Sequence, residues 1–172
     1  MRGVPLYAVL VGVEVEGRPT IGVAHFPALR ETVSAAVGFG CAWVGGSGGE
    51  RVSARVSGTT ELAEALALTS DPGSILTSTI GDGWAGLCRR VRIVRGWGDA
   101  YGHVLVATGR ADIMVDPVLS PWDAAALVPI LSEAGGRFTD LRGEETHEGA
   151  SGVSTNGRLH RRVLDILSSR GD

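Results

Sequence analysis

Ser120-Pro121-Trp122-Asp123 sets a hydroxyl, a proline and a carboxylate in an order with two chemical uses. Structurally, serine suits the N-cap of a helix, proline the first helical position, and a carboxylate three residues after the cap completes a capping box. Functionally, a carboxylate at a helix start just beyond a strand is where a doubly covered sheet presents ligands to a crevice. One residue can serve both ends. Asp116, seven residues earlier and followed by Pro117, closes an apolar run as a strand-end carboxylate. Asp99, between Gly98 and Ala100, is placed by spacing to cap a helix running from Ala100 to Thr108.

Other residue types offer less. His25, His103, His147 and His160 are scattered without metal-ligand spacing, and each reads as a surface or packed histidine. Cys41 and Cys88 stand far apart with no C-x-x-C, as isolated buried thiols in a reducing compartment. Ser47, Ser53 and Ser57 lack a nucleophile elbow, which disfavours covalent hydrolase chemistry. The glycine-rich stretch 45–50 lacks the Gly-Lys-Ser/Thr ending of a phosphate-binding loop and reads as a hairpin tip.

The elements that must position the carboxylates fall into two halves. Val4 to Val15, Thr20 to His25, Thr32 to Val37 and Cys41 to Val44 are β-branched, alternating segments joined at Glu16-Gly17-Arg18-Pro19 and around Gly38 and Gly40, which predicts an antiparallel meander. After Gly58 the period changes. Helices are expected over Glu61–Leu68, Trp84–Val91, Tyr101–Thr108, Trp122–Ala134 and Arg158–Leu167, the fourth closed by Gly135-Gly136. Short strands are expected at Arg92–Arg95, Asp112–Asp116, Arg137–Asp140 and Val153–Thr155. Alternating helices and strands predict a parallel or mixed sheet covered on both faces. The boundary between the halves falls at 57/58.

The 172 residues suffice for one ordinary domain or a large piece of a bigger one. Hydrophobic residues make up 44% and charged ones 20%, with mean hydropathy +0.16, which excludes a disordered tail. A net charge of −3, with no run of like charge, gives no footprint for nucleic acid or anionic lipid. All 16 basic residues are arginine, a bias in keeping with a GC-rich genome and without functional content. The apolar run after Arg2 continues as an alternation through Glu14 and Glu16, too short for a membrane span and without a cleavage site. The expectation is a cytoplasmic protein.

Three segments then combine: Trp122-Asp123-Ala124-Ala125-Ala126, the run from Glu133 through Gly135-Gly136-Arg137-Phe138-Thr139 to Asp140, and Ser154-Thr155-Asn156-Gly157-Arg158-Leu159-His160. Together they resemble the C-terminal signature of the inositol monophosphatase family. Gly3-Val4-Pro5-Leu6-Tyr7-Ala8-Val9 and Gly22-Val23-Ala24 with Pro27-Ala28-Leu29 are similar to the strands that follow that family's metal-binding core, so the resemblance covers essentially the whole chain. Arg2-Gly3-Val4-Pro5 and the run from Arg95 to His103 most resemble the branch that hydrolyses histidinol phosphate in histidine biosynthesis; an inositol or related sugar phosphatase is the alternative, and a noncatalytic remnant the alternative of another class.

The resemblance implies an α/β (α+β) fold, a layered αβαβα sandwich, and a Mg²⁺-dependent phosphomonoesterase acting on a small phosphate ester, homodimeric when complete, with no nucleic-acid or membrane partner. It implies that Asp123 is a metal ligand, that Asp116 contacts the alcohol portion of the substrate, and that Asp99 is a substrate-binding feature of the histidinol branch. The family's other ligands, an upstream Glu and an Asp-Pro-x-Asp-Gly-Thr segment, have no counterpart here, so no catalytic residue is assigned. The reading is of a chain that begins just after the catalytic core, lacks the helices covering the first sheet, and is inactive as it stands. An apolar sheet face that is exposed or covered by a partner chain follows.

Overall fold

A computed structural model describes residues 4–45 and 49–169. The meander expected in the first half is present as one antiparallel sheet in chain order: β1 (Val9–Val15), β2 (Arg18–Phe26), β3 (Glu31–Ala36), β4 (Gly40–Val44) and β5 (Arg51–Ser53). The first strand begins at Val9 rather than Val4, because Pro5 and Leu6 form a turn. The glycine-rich tip lies partly outside the described residues.

The second sheet holds β6 (Leu66–Leu68), β7 (Ile93–Arg95), β8 (Ile113–Asp116), β9 (Arg137–Thr139) and β10 (Gly152–Thr155) in the order β7-β6-β8-β10-β9. β6 is parallel to β7 and β8, whereas β10 is antiparallel to β8 and β9, so the sheet is mixed. The helices are α1 (Pro72–Thr77), α2 (Gly81–Cys88), α3 (Ala100–Ala107), α4 (Pro121–Ala124), α5 (Leu127–Glu133) and α6 (His160–Ser168).

Two cores stack these elements into layers. One fills the space between the sheets and joins Ala24, Phe26 and Val33 to Val104 of α3, Ile130 of α5, and Met114 and Phe138 of the second sheet. The other lies beyond the second sheet and joins Ile113, Val115 and Val153 to Trp84, Leu87 and Val163 of α2 and α6. Alternation along β8 sends Met114 to one core and Ile113 and Val115 to the other. The order is therefore sheet, helices, sheet, helices.

The outer face of the first sheet is bare among the described residues. Val9, Val11 and Val13 pair with His25, Val23 and Ile21, and the valines at 9, 11, 13 and 15 are 41–54% exposed. The apolar sheet face anticipated from the sequence is thus present and is not covered by the described residues.

Two helix expectations are corrected, and one helix was not expected. Glu61–Leu68 is not a helix: a short turn at Leu62–Glu64 leads into β6. Ala67 faces one core and Leu68 the other, and burial on both sides overrides the helix preference of Leu, Ala and Glu. The helix expected over Trp122–Ala134 is broken into α4 and α5. Pro129 has no N–H for the Ala125 carbonyl and its ring crowds that carbonyl, so the ladder cannot run through. Helix α1 went unforeseen although Asp71-Pro72 announces it, with Asp71 accepting from the N–H groups of Gly73 and Ser74.

Candidate active site

Asp99, Asp116 and Asp123 line a single cavity of about 470 Å³ between the C-terminal end of β8, the start of α3 and the start of α4. Tyr7, Leu10 and Leu127 supply apolar wall, and no basic residue among those described lines it. The three carboxylates come from separate elements and meet only in the folded chain.

Asp116 ends β8 and is 3% exposed. The backbone N–H of Ser70, just after β6, donates to its Oδ1 at 3.1 Å, and the His103 ring meets its Oδ2 through Nε2 at 3.2 Å. A buried carboxylate held this way keeps its lone pairs aimed outward as acceptors.

Asp99 precedes α3 but does not cap it: its side chain makes no cap hydrogen bond, which corrects the capping role read from spacing. Its backbone sits at φ 49°, ψ −150°, a region that favours glycine. The backbone N–H of Asp99 donates to Ser70 Oγ at 2.8 Å. Gly98 makes this approach possible, since a Cβ there would fall 2.7 Å from the Ser70 Cα. The strained turn thereby leaves the Asp99 carboxylate exposed at the mouth of the cavity.

Asp123 occupies the third position of α4, half-buried. The capping box expected with Ser120 does not form; Ser120 makes no side-chain cap bond, and only its carbonyl accepts, from the N–H groups of Asp123 and Ala124. Ala124, Ala125 and Ala126 let this turn lie against the first sheet: Cβ atoms added to Gly12 and Gly22 would strike Ala125 and Ala126. With no cap to satisfy, the Asp123 side chain is free to act as a ligand.

A hard cation takes oxygen ligands, and Asp123 offers one. Among the described residues, however, no group of three or more His, Cys, Asp or Glu side chains could hold a metal ion. The described carboxylates fit as part of a Mg²⁺ site and do not close one.

Sequence reasoning passed over Ser70, which follows a three-residue strand and sits in no motif. His103, read as a surface or packed histidine, is packed, in an almost wholly buried helix. The remaining histidines and cysteines stay outside the cavity. His160 is buried between Thr139 Oγ1 and Thr155 Oγ1, each 3.0 Å away, and burial, aided by Arg137, pushes its pKa down to about 4. The Cys41 thiol is pushed up to about 12 by burial and then by Glu133, which leaves it unreactive. Both cysteines are free.

The inositol monophosphatase family profile matches residues 1–171, and the chain belongs to that family. It is similar to histidinol-phosphatase of Chlorobaculum parvum, 39% identical over 98% of this chain and 63% of the relative, and to histidinol-phosphatase of Mycobacterium tuberculosis, 39% identical over 98% of this chain and 65% of the relative. Among solved structures it resembles Mycobacterium tuberculosis SuhB, with a TM-score of 0.80 and 30% identity over 96% of this chain and 65% of that one. The chain thus spans a little under two thirds of the length of these relatives. The shared fold is a mixed α/β sandwich of two sheets and helices.

Proposed function

We propose that this chain carries the distal part of a Mg²⁺-dependent phosphomonoesterase that hydrolyses histidinol phosphate, a reaction of histidine biosynthesis. The observation that carries this reading is the convergence of three carboxylates on one cavity that, among the described residues, no basic side chain lines. Such a cavity repels a bare phosphate and admits one accompanied by a divalent cation. Mg²⁺, when bound, supplies Lewis-acid polarisation of a phosphoryl oxygen and an activated water. Asp123 contributes one oxygen ligand.

The same negative wall suits the alcohol portion of histidinol phosphate, which carries a protonated amine and an imidazole. Asp116 and Asp99 accept hydrogen bonds from these groups, and a charge-assisted bond of this kind contributes about 1.5–3 kcal/mol net. Inositol offers only neutral hydroxyls and gains less. The histidinol-phosphatase relatives support the same choice. The complete enzyme acts in the cytoplasm as a homodimer; no helix among the described residues is long and apolar enough to cross a membrane.

Phosphate release from histidinol phosphate and from inositol 1-phosphate, each with added Mg²⁺, tests this reading. Preference for histidinol phosphate is expected. Because the described ligands do not close a metal site, turnover by these 172 residues should fall far below the ~10 s⁻¹ typical of enzymes. Preference for inositol phosphate would overturn the substrate assignment, and ordinary turnover the incomplete site.

A further inference from the structure

The ring of His103 is completely buried and has a partner on each nitrogen: Nε2 lies 3.2 Å from Asp116 Oδ2 and Nδ1 lies 2.7 Å from Ser154 Oγ. Ser154 itself is fully buried on β10, where it pairs with Met114 of β8. Asp116 stands two residues beyond Met114 and therefore on the same sheet face, so the imidazole spans a diagonal between neighbouring strands. Phe138 packs on the ring with centroids 5.8 Å apart. Nothing in this arrangement reaches the cavity except Asp116, which lines it.

Two acceptors cannot share a bond, so the ionised Asp116 requires a proton on Nε2. Nδ1 can then accept from the Ser154 hydroxyl, which has a proton to give. Together with the Ser70 N–H on Oδ1, this fixes both carboxylate oxygens from behind. Which nitrogen carries the proton is set by the partner of the other, as in the hydrogen-bonded shells behind metal-bound histidines.

We propose that His103 is a positioning residue for substrate recognition: backed by Ser154, it donates from Nε2 to Asp116 and holds that carboxylate as an acceptor aimed at the amine or hydroxyl of the substrate's alcohol portion. It touches no substrate itself. The inference rests on the proposed role of Asp116 as the contact to that portion.

Two measurements on the 172-residue chain test it. In ¹⁵N NMR of the imidazole, a proton on Nε2 of His103 is expected; an Nε2 without one overturns the assignment. In a titration with L-histidinol followed at the amides of Ser70 and Asp99, His103→Leu should weaken binding about tenfold or more, whereas His103→Gln, whose amide still donates to Asp116, should stay within about threefold of the parent. Equal losses would mean packing alone and overturn the positioning role. Should the leucine variant not fold, Ser154→Ala makes the comparison: weaker histidinol binding at unchanged melting temperature supports the relay, and unchanged binding overturns it. A parent chain with Nε2 protonated that ignores histidinol would remove the substrate reading and leave His103 holding Asp116.

Discussion

Gly22 on β2 and Ala126, between α4 and α5, are pressed together so closely that a Cβ on Gly22 would lie 2.0 Å from the Ala126 carbonyl oxygen. Gly12, its partner on β1, meets Ala125 in the same way. This contact seats the turn that carries Asp123. Gly22→Ala should therefore destabilise the chain by about 1–3 kcal/mol, because the obstacle is backbone and cannot swing aside. Urea unfolding reads the change; a midpoint equal to the parent's would show that the sheet and the turn can separate without loss.

Asp99→Gly should act in the opposite sense. The positive φ of Asp99 costs about 1–3 kcal/mol, and glycine adopts it freely. Part of that gain is lost to the more flexible unfolded chain, so a net rise of about 2–4 °C in Tm is expected. Affinity for L-histidinol should drop at the same time. A lower Tm would show that the Asp99 side chain contributes more to folding than its exposed position indicates.

Asp123→Asn separates ligand chemistry from helix stability. No side-chain cap is formed at this turn, so the folding free energy should change by no more than about 0.5 kcal/mol. Mg²⁺ binding, weak in a site that the described residues leave open, should fall further, which calorimetric titration measures. Unchanged Mg²⁺ affinity would remove Asp123 from the metal site.

Acid should weaken the fold first through His160. Its pKa is about 4 in the folded chain against 6.5 for the free side chain, so the unfolded state binds more protons in between. The stabilisation is complete above pH 6.5 and is lost as pH falls towards 4, with a total of roughly 3 kcal/mol. Asp140 acts in a lower window: burial raises its pKa, but hydrogen bonds from Glu144 and Arg142 outweigh this and hold it below 3.8, so its contribution goes only at still lower pH. His160→Gln should flatten the urea midpoint between pH 6.5 and 4. A slope equal to the parent's would assign the acid sensitivity elsewhere.

The antiparallel meander, the mixed sheet and the place of Asp123 at a helix start were all legible in the sequence, because alternation, glycine turns and a proline at the first helical position are local signals. Asp116 and Asp99 could be singled out as carboxylates at element ends for the same reason. What the sequence could not rank was competition between local preference and packing. Leu66-Ala67-Leu68 has helical residues yet becomes a strand, since only a strand can bury Ala67 and Leu68 in two different cores. Ser120 has the residue type for a cap and does not use it. The tertiary structure alone joined Asp99, Ser70, Asp116, His103 and Ser154, which span positions 70 to 154 and share no spacing, into one hydrogen-bonded line. Such a line depends on distances of about 3 Å between separate elements, and those are set only when two sheets and the helices between them close on a common core.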